Sequence, residues 1–279
     1  MESSGEYAKR VLRKYEFKTK KSLGQNFLVD DGAIDRIISY VPEGSAVLEI
    51  GPGIGLLTRR LVERAGRVTA VEIDGKLCEI LNEELGSEVL KVIDADIMVT
   101  DIDAILPEKS IAVANIPYYI TTPIILKILT SSDMIEGALL TIQKEAADKV
   151  AAAPGERGYG ILSLISSIYS EPEILFNISR EAFIPQPKVE SSVVRFNKKK
   201  PELPVGERDL IRVIKTSFGK RRKTIVNSLS GLYAGDKDRL KKLLEEEGID
   251  PMARPETLGI HEFETITGII KAADKLGRP

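Results

Sequence analysis

Leu48-Glu49-Ile50-Gly51-Pro52-Gly53-Ile54-Gly55-Leu56-Leu57-Thr58 sets three glycines at alternate positions, directly after a short apolar run and directly before an amphipathic one. A buried strand that turns through glycine into a helix is the opening unit of a parallel sheet. Glycine admits backbone conformations and close approaches that a side chain forbids. Outward from this stretch, β-branched runs alternate with helical periodicity, predicting strands at 46–50, 67–73, 89–94, 111–115 and 138–142. Helices are predicted near 55–65, 75–85, 122–130 and 144–152. A helix at 160–169 and strands at 174–178 and 192–196 then close the sheet. Lys198-Lys199-Lys200-Pro201 punctuates the chain, and beyond it 207–218, 220–230, 236–247 and 262–275 are all helical in period, with Gly and Pro between them. The expected architecture is α/β: a Rossmann-like sheet domain in residues 1–200 and a small helical domain in 201–279.

Composition narrows the chemistry. With 43% apolar residues in 279, the chain has ample material for a core. No run of about 18 apolar residues appears, and residues 1–14 are charged throughout rather than apolar, so a cytoplasmic protein with no membrane partner is expected. One cysteine, Cys78, excludes an internal disulfide and cysteine-rich metal sites, and one histidine, His261, excludes His-based triads and paired-histidine zinc sites. No metal is expected. The net charge of −2 conceals an asymmetry: residues 1–197 carry 22 basic and 29 acidic side chains, residues 198–279 carry 18 and 13. That split suits a polyanionic partner gripped by the C-terminal part and chemistry housed in the sheet.

The glycine loop has a second half. Glu72, in Val71-Glu72-Ile73-Asp74, lies 21 residues beyond Gly51, near the spacing of about 20 at which an acid binds ribose hydroxyls in doubly wound folds. Asp96 at the end of the third strand is placed to accept from an adenine amino group, while Asp74 and Asp94 read as turn formers with solvent-exposed carboxylates. This spacing alone fits a nicotinamide dinucleotide or S-adenosylmethionine, since both carry adenosine. Gly51, Gly53 and Gly55 read G-x-G-x-G rather than G-x-G-x-x-G, and no proton donor of dehydrogenase type is evident.

The run Asn115-Ile116-Pro117-Tyr118 at the end of the fourth strand favours S-adenosylmethionine. The exocyclic amine of adenine is a poor nucleophile because its lone pair is delocalised into the ring. An Asn oxygen and a neighbouring backbone carbonyl can accept its two hydrogens and draw the nitrogen toward a tetrahedral geometry. Pro117 stiffens the turn and Tyr118 supplies a ring to stack on the base. Taken bare, the same tetrapeptide also reads as a strand end followed by a proline turn.

These motifs, with Lys21-Ser22-Leu23-Gly24-Gln25-Asn26-Phe27-Leu28 before them and Phe183-Ile184-Pro185-Gln186-Pro187-Lys188-Val189 after them, stand in the order that resembles the KsgA-type small-subunit ribosomal RNA adenine dimethyltransferases. The resemblance continues through Phe218-Gly219-Lys220-Arg221-Arg222-Lys223-Thr224 and so covers nearly the whole chain. It implies a seven-stranded methyltransferase sheet and S-adenosylmethionine as methyl donor. The implied reaction places two methyl groups on each of two adjacent adenosines, in a hairpin near the 3′ end of the small-subunit RNA. It also implies cofactor contacts at Asn26, Leu28, Gly51, Glu72, Asp96 and Asn115, with residues 1–30 folded over the cofactor and Gly53 in the same loop. Glu49 is a candidate for holding the methionine ammonium, although a strand-end acid has a structural reading too. Asn115, the Ile116 carbonyl and Tyr118 would form the adenine pocket, with Phe183 as the opposing aromatic face unless it is a core residue.

Lys220, Arg221, Arg222 and Lys223 read as the start of a helix that grips phosphate, near Arg212 and Lys215. Lys9, Arg10, Arg13, Lys14, Lys18, Lys20 and Lys21 either extend that surface or form a solvated arm. The expected partner is ribosomal RNA within the small subunit or its precursor, and the expected state is a monomer. The related large-subunit adenine methyltransferases of antibiotic-resistance type and a non-catalytic assembly factor are the competing readings.

Overall fold

The computed structural model describes residues 2–19, 24–219 and 222–276, with side chains through 273. The chain divides into two compact units, Met1–Ala147 with Tyr169–Lys199, and Asp148–Ile168 with Lys200–Pro279.

The first unit is built on a seven-stranded sheet. Its order is β4 (Leu90–Asp94), β3 (Arg67–Glu72), β2 (Ala46–Ile50), β5 (Ser110–Asn115), β6 (Ile135–Gln143), β9 (Ser191–Lys198) and β7 (Ser170–Ile178). β2 pairs in parallel with β3 and β5, β3 with β4, and β5 with β6, whereas β9 lies antiparallel between β6 and β7. All five residues of β2 are buried, as expected of a parallel strand covered on both faces. From β2 the chain first builds β3 and β4 on one side and then crosses to β5 on the other. The strand order therefore reverses at β2, and a crevice opens beyond the carboxyl ends of β2 and β5, where ligands bind in folds of this kind. The two late strands close the sheet as their sequence predicts.

Two helices precede the sheet, α1 (Ser4–Lys14) and α2 (Asp31–Ser39). Neither was read from the sequence, and α1 is not a solvated arm. Ser3 and Glu6 form a reciprocal capping box at its start, and Ser4, Tyr7, Ala8 and Val11 form its buried stripe. Arg10 and Lys14 contact Glu84 at 2.9 and 2.7 Å, and the Tyr15 hydroxyl donates to the same carboxylate at 2.9 Å. Burial opposes ionisation of Glu84, but Lys14, Arg10 and Tyr15 together hold its pKa down at about 2. These two cations are engaged within the fold, and Lys20 and Lys21 lie outside the described residues.

A two-stranded ribbon of β1 (Phe27–Leu28) and β8 (Phe183–Ile184) sets Leu28 opposite Phe183. Connecting helices are α3 (Thr58–Arg64), α4 (Gly75–Leu85), α5 (Ile102–Ile105) and α6 (Thr121–Thr130). Helices α7 (Lys144–Ala151) and α8 (Ile161–Tyr169) bound the excursion 148–168, which is grouped with the C-terminal residues. Sequence periodicity locates both helices but not that grouping, so a single division at residue 200 leaves the excursion on the wrong side.

The second unit contains α9 (Glu207–Phe218), α10 (Ile225–Leu229), α11 (Lys237–Glu246) and α12 (Ile260–Leu276). Phe218 stacks on Phe263 with ring centres 5.9 Å apart and meets Tyr159 edge-on at 6.4 Å, while the Tyr159 hydroxyl donates to the Leu258 carbonyl at 2.9 Å. These contacts tie the excursion to the C-terminal helices. α10 starts at Ile225 rather than at 220: Thr224 adopts the extended backbone of a cap residue, and Arg222 and Lys223 lie in the preceding turn.

Candidate active site

The glycine loop forms the floor of a cleft that encloses about 1210 Å³ between atoms, its mouth included. Gly51 and Gly53 have φ of +65° and +61°, the left-handed region that glycine alone occupies without strain. A Cβ at Gly53 would stand 2.9 Å from the Phe27 ring, so both conformation and packing demand glycine there. At Gly51 a Cβ would meet nothing within 4 Å, and its absence widens the cleft. The sequence placed the next helix near Gly55. It begins at Thr58 instead, because Gly55 has φ of +86°, outside the helical region, and its amide closes the preceding turn on the Pro52 carbonyl at 3.0 Å.

Carboxylates from three successive strands face this floor. Glu72 ends β3 and accepts from the amides of Ile73 (2.9 Å) and Asp74 (3.0 Å) on one oxygen and of Gly53 (3.0 Å) on the other. Burial raises its pKa, and the three amides oppose the shift. A carboxylate has about four acceptor positions, so capacity remains for a hydroxyl. Asp96 spends Oδ1 on the Met98 amide at 2.8 Å, which fixes its plane with the second oxygen to spare. Asp74 caps α4 and is 5% exposed, not solvent-exposed as expected, whereas Asp94 is exposed.

Glu49 is the anomaly of the site. It is 1% exposed and lines the cleft, and neither of its oxygens has a hydrogen-bond partner among the described residues. Burial pushes its pKa up to about 8, with nearby Thr58 opposing and the Glu72 charge adding to the rise. A buried, unpaired carboxylate is costly unless a cation or donor arrives to meet it.

Asn115, at the end of β5, donates its side-chain amide to the Asn26 backbone carbonyl at 2.8 Å. Because that partner accepts only, the NH₂ group is assigned to it and Oδ1 is left as the acceptor facing the cleft. Asn26 folds its own amide back onto the Gly24 carbonyl at 3.0 Å, which shapes the segment that holds Asn115. Tyr118 begins a short 3₁₀ turn, Tyr118–Ile120, and its hydroxyl hydrogen-bonds Ser191 Oγ at 2.9 Å. Burial raises the phenol pKa, so the group is neutral and its ring is held by one polar contact.

The cleft thus gathers Asn26, Leu28, Gly51 and Gly53 from the N-terminal side, and Glu72, Asp96, Asn115, Pro117 and Tyr118 from the strand ends. Phe183 is not among them. It is 2% exposed within the main hydrophobic cluster, locked opposite Leu28 in the β1–β8 ribbon, so the ring is a core residue and offers no open face to a base.

Residues 16–271 match the family described as ribosomal RNA adenine dimethylase. The chain belongs to that family. A ribosomal RNA small subunit methyltransferase A from Alkaliphilus oremlandii is 44% identical over 272 residues, covering 94% of this chain and 95% of the relative. Among solved structures, a dimethyladenosine transferase from Plasmodium falciparum is similar with TM-score 0.73 and 25% identity, covering 85% of this chain and 94% of that one. The 23S rRNA methyltransferase ErmE is similar with TM-score 0.66 and 29% identity, covering 88% and 99%. Membership makes the chain an rRNA adenine dimethyltransferase that depends on S-adenosylmethionine.

Two residues of the site escaped sequence reasoning. Ser191 sits fully buried at the start of β9 and anchors Tyr118 from 73 positions away, a distance no local pattern spans. Tyr7 on α1 donates its hydroxyl to the Ile54 carbonyl, inside the glycine loop, at 3.1 Å. Its ring lies against the guanidinium groups of Arg59 (4.2 Å) and Arg10 (5.1 Å). Helix α1 precedes the residues matched by the family, and the charged surroundings of Tyr7 mask its role. In the second unit, Arg212, Lys215, Arg222 and Lys223 are exposed, and Lys220 and Arg221 lie outside the described residues.

Proposed function

We propose that this protein dimethylates the exocyclic amines of two adjacent adenosines in a hairpin near the 3′ end of small-subunit ribosomal RNA, using S-adenosylmethionine. The observation that carries the reading is the orientation of Asn115, whose NH₂ is spent on Asn26 and whose Oδ1 is left as an acceptor in the cleft that Tyr118 also lines. The cleft suits the methyl donor. Asp96 is disposed for an adenine amine, Glu72 retains capacity for ribose hydroxyls, and the unpartnered oxygens of Glu49 suit an ammonium. When bound, the donor supplies a methyl group on a positively charged sulfur.

The chain's own residues then position the acceptor. Asn115 Oδ1 and the Ile116 carbonyl take the amine hydrogens, and Tyr118, fixed through Ser191, carries the base. A once-methylated amine keeps one hydrogen, and a single acceptor such as Oδ1 is enough to hold it for the second transfer. Positioning of this kind accounts for much of the rate in reactions that need no strong base. The exposed cations Arg212, Lys215, Arg222 and Lys223 of the second unit would hold RNA phosphates, which orient a substrate without specifying its sequence. The small-subunit assignment over the large rests on the 44% identity to a small-subunit relative against 29% to ErmE. Action as a monomer in the cytoplasm completes the reading.

Labelled methyl transfer to small subunits lacking the modification, with large subunits as control and nucleoside mapping of the product, tests it. Dimethyladenosine at two adjacent positions of the small-subunit RNA alone is expected, and label confined to large-subunit RNA would overturn the assignment. The loop brace yields a second expectation. Tyr7→Phe keeps the ring between its two arginines and deletes one hydrogen bond, worth about 1 kcal/mol. Calorimetry should show S-adenosylmethionine binding weakened roughly three- to tenfold, with little change in thermal midpoint. An unchanged affinity would mean that α1 does not support the loop.

A further inference from the structure

Among the aromatic residues lining the cleft, Phe27 is buried beneath Gly53 and Tyr118 is half-buried with its hydroxyl on Ser191. Tyr119 differs from both. It is 58% exposed, and among the described residues its hydroxyl makes no hydrogen bond. Its ring is nevertheless not loose. A Cβ on Gly24 would come within 3.3 and 3.4 Å of two of its ring carbons and 3.4 Å of Pro117 Cβ, so the ring has Gly24 as a backing. Gly24 has φ of +59°, which keeps a side chain off that backing. An aromatic ring supported on one side and open on the other, at the mouth of a site for a flat base, has the form of a stacking platform.

We propose that Tyr119 stacks on the nucleobase adjacent to the adenine being methylated, forming a subsite for the flanking nucleotide. The inference rests on the reading of Asn115 and Tyr118 as the adenine pocket. A base drawn into the cleft leaves its neighbour unstacked at the mouth, and the neighbour's exposed face costs free energy until another π surface covers it. Tyr119 directly follows Tyr118 in the chain, so one nucleotide step separates what the two rings would hold. With two adjacent adenosines as substrate, the platform holds one target while the other reacts. Phe183, buried in the β1–β8 ribbon, is not available for this task.

The test uses full-length enzyme, labelled S-adenosylmethionine and small subunits lacking the modification. Tyr119→Ala should raise KM for the particle about tenfold, within the range of stacking contributions per base, and leave cofactor affinity by calorimetry and the thermal midpoint unchanged. Tyr119→Phe and Tyr119→Trp should keep KM within about twofold, and Tyr119→Leu should behave like the alanine variant. An unchanged KM in Tyr119→Ala would overturn the inference, as would full function in Tyr119→Leu, which indicates apolar packing rather than stacking. A matching loss of cofactor affinity would overturn it too by moving the residue to the cofactor side. Asn115→Ala in the same assay separates the two levels: if it stays active, the adenine-pocket reading fails; if it is inactive while Tyr119→Ala is normal, only the flanking subsite fails.

Discussion

An Asn115→Ala variant is expected to transfer methyl groups roughly 10²- to 10³-fold more slowly than the parent enzyme, the loss that follows removal of one preorganised polar contact at a reacting centre. The reasoning is geometric. Asn115 is held by a 2.8 Å hydrogen bond to the Asn26 carbonyl, so its Oδ1 is aimed before the substrate arrives and costs no reorganisation during reaction. Alanine removes both the acceptor and the tether. The tether's loss frees one backbone carbonyl, at a cost near 1 kcal/mol in stability, too small to unfold the domain. Asn115→Asp should be similarly slow, because a carboxylate cannot donate to Asn26 and is repelled by that carbonyl. Single-turnover rates with enzyme in excess, alongside calorimetry of the cofactor, are the measurements. A rate within tenfold of the parent would remove Asn115 from the chemistry.

The second large effect concerns Glu49, and it has opposite signs for stability and binding. Its folded-state pKa of about 8 lies above the ordinary carboxylate range, so between pH 5 and 8 the folded protein holds a proton that the unfolded chain releases. Ligand-free stability should therefore fall as pH rises through this window, by up to about 1.4 kcal/mol per pH unit from this group. Glu49→Gln removes that slope and should melt higher than the parent at pH 8 in the absence of cofactor. The same change deprives the ammonium of its charged partner, and affinity for S-adenosylmethionine should drop roughly a hundredfold, in the range for truncating a buried charge pair. Binding to the parent enzyme at pH 7 should release close to one proton, seen as a dependence of the calorimetric heat on the buffer's ionisation enthalpy. A parent enzyme that releases none, or a glutamine variant with undiminished affinity, would assign Glu49 a structural role.

Which parts of this site were legible in the sequence follows from how local their determinants are. The glycine loop, Glu72 and Asn115 each sit at the end of a buried strand, and Asp96 two residues beyond the edge strand β4, where an apolar run stops and a polar residue faces the crevice. Strand ends can be read from a window of ten residues. Phe183 could not be assigned that way: a phenylalanine before a proline-rich turn looks the same whether it covers a base or pairs with Leu28, and only the distant β1 decides. Helix α1 was missed because its charged residues hide a buried stripe of Ser4, Tyr7, Ala8 and Val11. The start of α10 is set by the cap residue Thr224, a signal that the four consecutive basic residues before it obscure in the sequence. Ser191 lies beyond any local reading, since its partner Tyr118 sits in the turn that follows β5, on the other side of β6.

The position of β9 between β6 and β7 has a consequence for synthesis on the ribosome. Translation delivers β2 through β6, with the glycine loop and Asn115, well before residues 191–198. Until that last strand emerges, Tyr118 has no hydroxyl partner and β7 has nothing to pair with. Non-local pairings of this kind are slow to form because a long loop must close first. The nascent chain accordingly acquires its cofactor floor early and its anchored base platform late, so a product truncated before β9 would not carry a finished catalytic centre.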